Sequence, residues 1–95
     1  MIHDLKIWPE FFSDLIAGKK NFELRKDDRP YQVGDTLRLY EWDPKIQAYT
    51  GLYAERDISY LLRHRPDAGC AATFGLAPGY TILALSATAR GGTDA

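Results

Sequence analysis

The hydrophobic period of this chain changes once, at Gly18, and that change limits what the chain can fold into. Before it, in "PEFFSDLIAG", Phe11, Phe12, Leu15 and Ile16 recur at helical spacing. Pro9 stands where a first helical turn tolerates a missing N–H, and Gly18 supplies a stop signal. After it, in "NFELR", Phe22 and Leu24 alternate with Asn21, Glu23 and Arg25, which is the period of a strand with two unlike faces. The expectation is one helix near residues 9–18 that delivers the chain into a half-solvated strand. Phe22 and Leu24 are expected on its core side and the charges on the other.

The remaining segments read mostly as strands. "IHDLKIWP" is a short strand ended by Pro9, because proline disfavours helix at Trp8. "DDRPYQVGD" is rich in turn formers, and "TLRLYEW" resumes alternation, with Leu37 and Leu39 opposite Arg38, Tyr40 and Trp42. "DPKIQAYTG" reads as a hairpin connection. "LYAERDISYLL" sets Ala54, Ile58, Tyr60 and Leu62 on one parity, interrupted by Arg56, which must reach an opening in the core or face a cleft. "RHRPDAGCAATFGLAPG" is a loop of functional length, "YTILALSA" suits a central strand buried on both sides, and "TARGGTDA" reads as a frayed tail. These elements predict an α+β, β-rich fold: a small barrel of five to six short strands with one main helix attached. It forms a single domain over residues 1–88, with a flexible tail at 89–95.

Several function classes are excluded at this level. Ninety-five residues make room for one core and one site. Twelve Lys+Arg against thirteen Asp+Glu leave no polybasic footprint, so any nucleic-acid contact must come from a local patch. Cys70 is the only cysteine, which rules out an intramolecular disulfide. The N-terminus lacks the apolar region of a secretory signal, and no apolar run approaches the ~20 residues that span a bilayer. A soluble, cytoplasmic protein is the expectation. His3, His64 and Cys70 lack any spacing typical of a zinc site, and no phosphate-binding glycine loop or nucleotide fingerprint is present, so neither metal nor cofactor is expected.

What remains is the stretch "GKKNFELRKDDR", eight charged residues in twelve. Within it Gly18, Lys20, Glu23 and Arg25 have the spacing G-x-K-x-x-E-x-R across the helix-to-strand junction. Lys20 leaves the helix end while Glu23 and Arg25 share a strand face, which brings an ammonium, a carboxylate and a guanidinium to one rim. A solvated strand face with screened ion pairs is the plain alternative, and Lys26, Asp27, Asp28 and Arg29 read as a solvated turn. The spacing resembles the signature of ASCH domains in the PUA-like superfamily. The segments around it, "HDLKIWPEFFSDLIAGKKNFELRKDDRPYQVGDTLRLYEWDP", "YTG" and "FGLAPGYTILAL", resemble a bacterial and phage group of small ASCH-related proteins.

That resemblance implies a PUA-like β-barrel with a cleft between barrel and helix, lined by the motif, and RNA or a modified base as ligand. One bacterial ASCH branch is an amidohydrolase acting on N4-acetylcytidine, with a lysine at the position of Lys20, a threonine at that of Glu23 and a glutamate on a later segment. This chain departs from it: Glu23 replaces the threonine, and "RHRPDAGCAATF" holds no glutamate. The first reading is therefore a binding module for RNA, a nucleotide or a modified base. Lys20 and Arg25 would contact phosphate or a carbonyl edge, and Glu23 would accept from a base amino or imino group. The alternative is a small amidohydrolase in which Lys20 is base or nucleophile activator and Glu23 a proton shuttle. The third reading is a protein-partner-binding accessory protein of a mobile element.

Other side chains are candidates for the same cleft. His3 and Lys6 lie in the stretch that resembles the family. Trp8, Trp42 or Tyr80 would offer a face for base stacking. Arg63, His64 and Arg65 open the long loop as a basic cluster that either contacts phosphates or is ordinary loop surface. Cys70 has no histidine at a signature spacing that would make it a nucleophile.

Overall fold

The computed structural model describes residues 1–64 and 75–87 in full and the backbone of 93–94. Alternation governs the first strand, β1 (Ile2–Ile7), where His3, Leu5 and Ile7 are buried while Ile2, Asp4 and Lys6 are exposed. Pro9 then opens α1 (Pro9–Ile16), and Phe12 and Leu15, three apart, turn inward. The helix ends two residues short of the expected Gly18 because its last turn closes in a Schellman arrangement. Gly18 N–H bonds the Leu15 carbonyl at 3.1 Å and Lys19 N–H the Asp14 carbonyl at 2.9 Å. Gly18 sits at φ +77°, a conformation that a side chain disfavours. Lys20 N–H also bonds the Asp14 carbonyl, at 3.0 Å, so the turn fixes where the Lys20 side chain departs.

The chain continues into β2 (Phe22–Lys26), β3 (Thr36–Asp43), β4 (Ala48–Arg63), β5 (Tyr80–Ala87) and β6 (Thr93–Asp94). The sheet order is β1-β3-β4-β5-β2, with β1 and β3 parallel and the other neighbours antiparallel. β6, two residues within the stretch expected to be a tail, pairs with Tyr53 and Ala54 of β4. The fold is α+β and β-rich, a curled half-barrel with one short helix among the described residues. Its core joins Leu5, Ile7, Phe12, Leu15, Leu37 and Leu39 to Ala54, Ile58, Leu83 and Leu85. No helix among the described residues is long and apolar enough to cross a membrane.

Three expectations need correction. Phe22 and Leu24 are 49% and 55% exposed, while Glu23 is 4% exposed. Alternation identifies two faces but not which one is inward; here the charged face is inward, and Glu23 lies opposite fully buried Leu83 of β5. β5 is flanked on both sides by strands yet alternates in burial, with Thr81, Leu83 and Leu85 inside, and is not covered on both faces. In β4 the single parity holds through Ala54 and Ile58 and then fails. A register shift between Ile58 and Tyr60 turns Tyr60 outward and packs Leu61 on the core. Arg56 reaches the helix end, where its Nη2 donates to the Leu15 carbonyl at 3.5 Å.

Candidate functional site

The two outer strands of the path, β1 and β2, face each other without a backbone ladder between them. An open sheet edge leaves carbonyls and amides wanting partners. Side chains of the charged motif supply them. Arg25 Nη2 donates to the Lys6 carbonyl of β1 at 2.6 Å, and Lys20 Nζ donates to the Phe22 carbonyl of β2 at 2.7 Å. The half-barrel is therefore drawn together along a seam of side chains.

Glu23 lies at the centre of this seam. Lys20 Nζ is 2.9 Å from its Oε1, and Arg25 Nε donates to its Oε2 at 2.7 Å. Burying a carboxylate carries a large desolvation cost unless it is paired and hydrogen-bonded, and here each oxygen has a cationic partner. The carboxylate retains lone pairs beyond these two bonds, since its oxygens accept at about four sites. Lys20 is further boxed by aromatic faces, with its ammonium 4.7 Å from the Phe22 ring centre and 5.7 Å from that of Phe11.

The triad opens onto a cleft of about 690 Å³ between α1 and the seam. Trp8 and Phe11 contribute the helix side, Phe22 the strand side, and Lys6, Lys20, Glu23 and Arg25 the polar wall. Trp8 and Phe11, like Phe22, are exposed aromatics, so apolar faces flank a charged floor. Such an arrangement can hold a flat polar ring: the walls offer stacking, and the floor offers an acceptor between donors.

Of the residues expected in the cleft, Lys20, Glu23, Arg25, Lys6 and Trp8 are brought together. Three are not. His3 faces the interior, its Nε2 2.8 Å from Asp35 Oδ2 and its ring 4.7 Å from that of Tyr31, a buried structural pairing. Arg63 is held by Asp27 at 2.8 Å and by the Tyr31 carbonyl. Tyr80 stands opposite Lys26 in the register, on the outward parity of β2. Trp42 lies under Lys6, whose ammonium is 4.1 Å from its ring centre. Arg65 and Cys70 lie outside the described residues. Phe11 and Phe22 were missed as cleft walls. Adjacent Phe11 and Phe12 on one helix point about 100° apart, which was the signal that one of them had to leave the core face. Among the described residues no group of three or more His, Cys, Asp or Glu could hold a metal ion.

Fold and site together define a small β-rich half-barrel whose helix and charged seam enclose a cleft. The chain belongs to the family described as "Domain of unknown function (DUF3850)", whose model matches residues 2–85. It is similar to the "Uncharacterized 12.9 kDa protein in GpA 3'region" of Escherichia phage P2, at 37% identity over 75 residues, covering 67% of each chain.

Proposed function

We propose that the cleft binds a nucleobase, carried on RNA or on a free nucleotide, and that the protein is a recognition module related to the PUA-like ASCH domains. The observation that carries this reading is Glu23: a carboxylate 4% exposed, braced on both oxygens, at the floor of an aromatic-walled cleft. Buried ion pairs are a poor source of stability, because apolar residues in their place are often equally stabilising. A triad of this kind is better suited to recognition. Glu23 accepts from a base amino or imino group, the donors of Lys20 and Arg25 flank it at carbonyl positions, and Trp8, Phe11 or Phe22 stacks on the ring at roughly 1–3 kcal/mol.

Native mass spectrometry and titration against nucleosides and short RNAs test the proposal with wild type, Glu23→Gln, Lys20→Ala and Trp8→Ala. Glu23→Gln keeps shape and size, so it should fold while changing the preference among bases; Trp8→Ala should weaken all bases alike. Equal binding by all four proteins, or no binding by any at low salt, refutes the reading. Turnover of acylated cytidines by the wild type would put the amidohydrolase first, and a stable protein partner without nucleic acid would put the accessory-protein reading first.

A further inference from the structure

Across the Arg25 bridge from the cleft lies a second groove, of about 850 Å³, in which the base-binding reading places nothing. Lys6 and Arg25 line both spaces, so the two meet along the seam. Four cations line the groove, Lys6, Arg25, Lys26 and Arg29, against two carboxylates, Asp4 and Asp28. Asp4 already accepts from the Tyr40 hydroxyl at 3.3 Å and lies 3.8 Å from Arg38. Among the described residues no carboxylate lies within ion-pair distance of Lys6, Lys26 or Arg29. The Lys6 ammonium rests against Trp42 and Tyr49, with ring centres at 4.1 and 5.8 Å, which positions the charge without neutralising it.

Tyr31 is an independent observation. Its ring is packed against His3 and the residue is 1% exposed, yet it lines the groove; its hydroxyl bonds no other described residue and, since no fully buried side-chain polar atom among the described residues is left unpaired, it is the part of Tyr31 that solvent in the groove reaches. A hydroxyl that opens onto a cationic groove offers a donor to an acceptor placed there. Burial raises the phenol pKa above its ordinary value, against the opposite pull of Arg29 and Arg25, so the group keeps its proton.

We propose that this groove is a phosphate subsite, with Lys6, Lys26, Arg29 and the Tyr31 hydroxyl as its donors, so that the ligand class is a nucleotide spanning the Arg25 bridge. The nucleotide's base half rests on the reading of the cleft; the phosphate half rests on the groove alone. Lys20, engaged by Glu23 and the Phe22 carbonyl, is then not a phosphate contact.

The test is an NMR titration of backbone amides in wild type, Tyr31→Phe and the double variant Lys26→Ala/Arg29→Ala. The probes are inorganic phosphate, the four common ribonucleosides, their 5′-monophosphates and a short single-stranded RNA. Phosphate should shift amides of residues 4–6, 26–29 and 31 in wild type and not in the double variant. A monophosphate should bind about tenfold more tightly than its nucleoside, as expected for charge-assisted hydrogen bonds. The double variant should lose that gain while nucleoside affinity, set in the cleft, stays within about twofold. Tyr31→Phe should weaken the monophosphate about threefold with an unchanged melting temperature, because no internal bond is lost. RNA binding more tightly than monophosphate, with a log–log salt slope that falls by about 0.7 per lost contact, identifies a chain as the source of the phosphate; equal affinity identifies a free nucleotide. Nucleosides and monophosphates binding alike, with no groove shifts from phosphate, overturns the subsite and leaves the cleft reading standing. Groove shifts from phosphate without nucleoside binding support the subsite and remove the cleft reading. Silence from every probe overturns both.

Discussion

Replacing Glu23 by leucine should destabilise the fold by about 2 kcal/mol. Removing one partner of a fully buried ion pair costs about 3–5 kcal/mol, because the other charge stays in low dielectric without its counter-ion. Here two cations are stranded, but the Lys20 and Arg25 side chains keep 15% and 23% exposure. Each also retains a backbone carbonyl, that of Phe22 and that of Lys6. Water and those carbonyls take up part of the loss, which brings the figure below the fully buried range. For a domain of this size each kcal/mol moves the melting temperature by about 4–8 °C, so a fall of about 8–16 °C is expected. Urea titration should show a lower midpoint at an unchanged slope. Lys20→Met/Glu23→Leu should lose less than the sum of its two single variants, since the second change removes a charge that the first has stranded. A Glu23→Leu protein within about 0.5 kcal/mol of wild type, or strictly additive losses, would refute the placement of these charges as one buried unit.

Three other outcomes follow from the structure. Asp35 accepts from Gln32 N–H and pairs with His3 and the Met1 amino group; burial works to raise its carboxyl pKa, but these bonds prevail and hold it below the ordinary aspartate value. Its folded pKa is thus depressed, so its stabilisation is present above the unfolded pKa near 3.9 and is lost as pH falls through the folded value; Asp35→Asn should flatten the acid limb of a melting-temperature-versus-pH curve. Leu15→Ala, at a buried helix position, should cost about 3 kcal/mol by denaturant titration, whereas Phe11→Ala, on the exposed side, should stay within about 0.5 kcal/mol. Gly18→Ala should cost about 1 kcal/mol through the left-handed turn alone, read from the same titration, since a Cβ there meets nothing within 4 Å.

The period change at Gly18 made the helix, the following strand and their junction legible, and Pro9 and Gly18 bracketed the helix closely. The convergence of Lys20, Glu23 and Arg25 was also legible, because strand parity and the helix exit leave little freedom. The inward direction of that face was not. A strand between a core and solvent presents its apolar residues inward, but β2 is an edge strand whose inner face meets the seam, where compensated charge replaces apolar contact. Edge position is a property of the pairing, not of the segment. The register shift after Ile58 was hidden for a similar reason, since neither Ser59 nor its neighbours carries a distinctive bulge signal. The second groove was passed over because "KDDR" has the composition of an ordinary turn, and only the fold places Lys26 and Arg29 beside Lys6 and Tyr31.

The seam also divides β2 along its own length. Asp27 N–H bonds the Gly79 carbonyl and Leu85 N–H bonds the Asn21 carbonyl, so in this antiparallel register the odd-numbered residues turn their amides to β5. Those of Phe22, Leu24 and Lys26 turn the other way, toward the gap, where the neighbouring strand offers no ladder. In deuterated solvent β2 should therefore label as a comb, Glu23 and Arg25 slowly and Leu24 and Lys26 quickly, with the fast teeth facing β1. A ligand lying across the gap would slow those teeth first, which makes the isotope pattern of five residues a clock for occupancy of the seam.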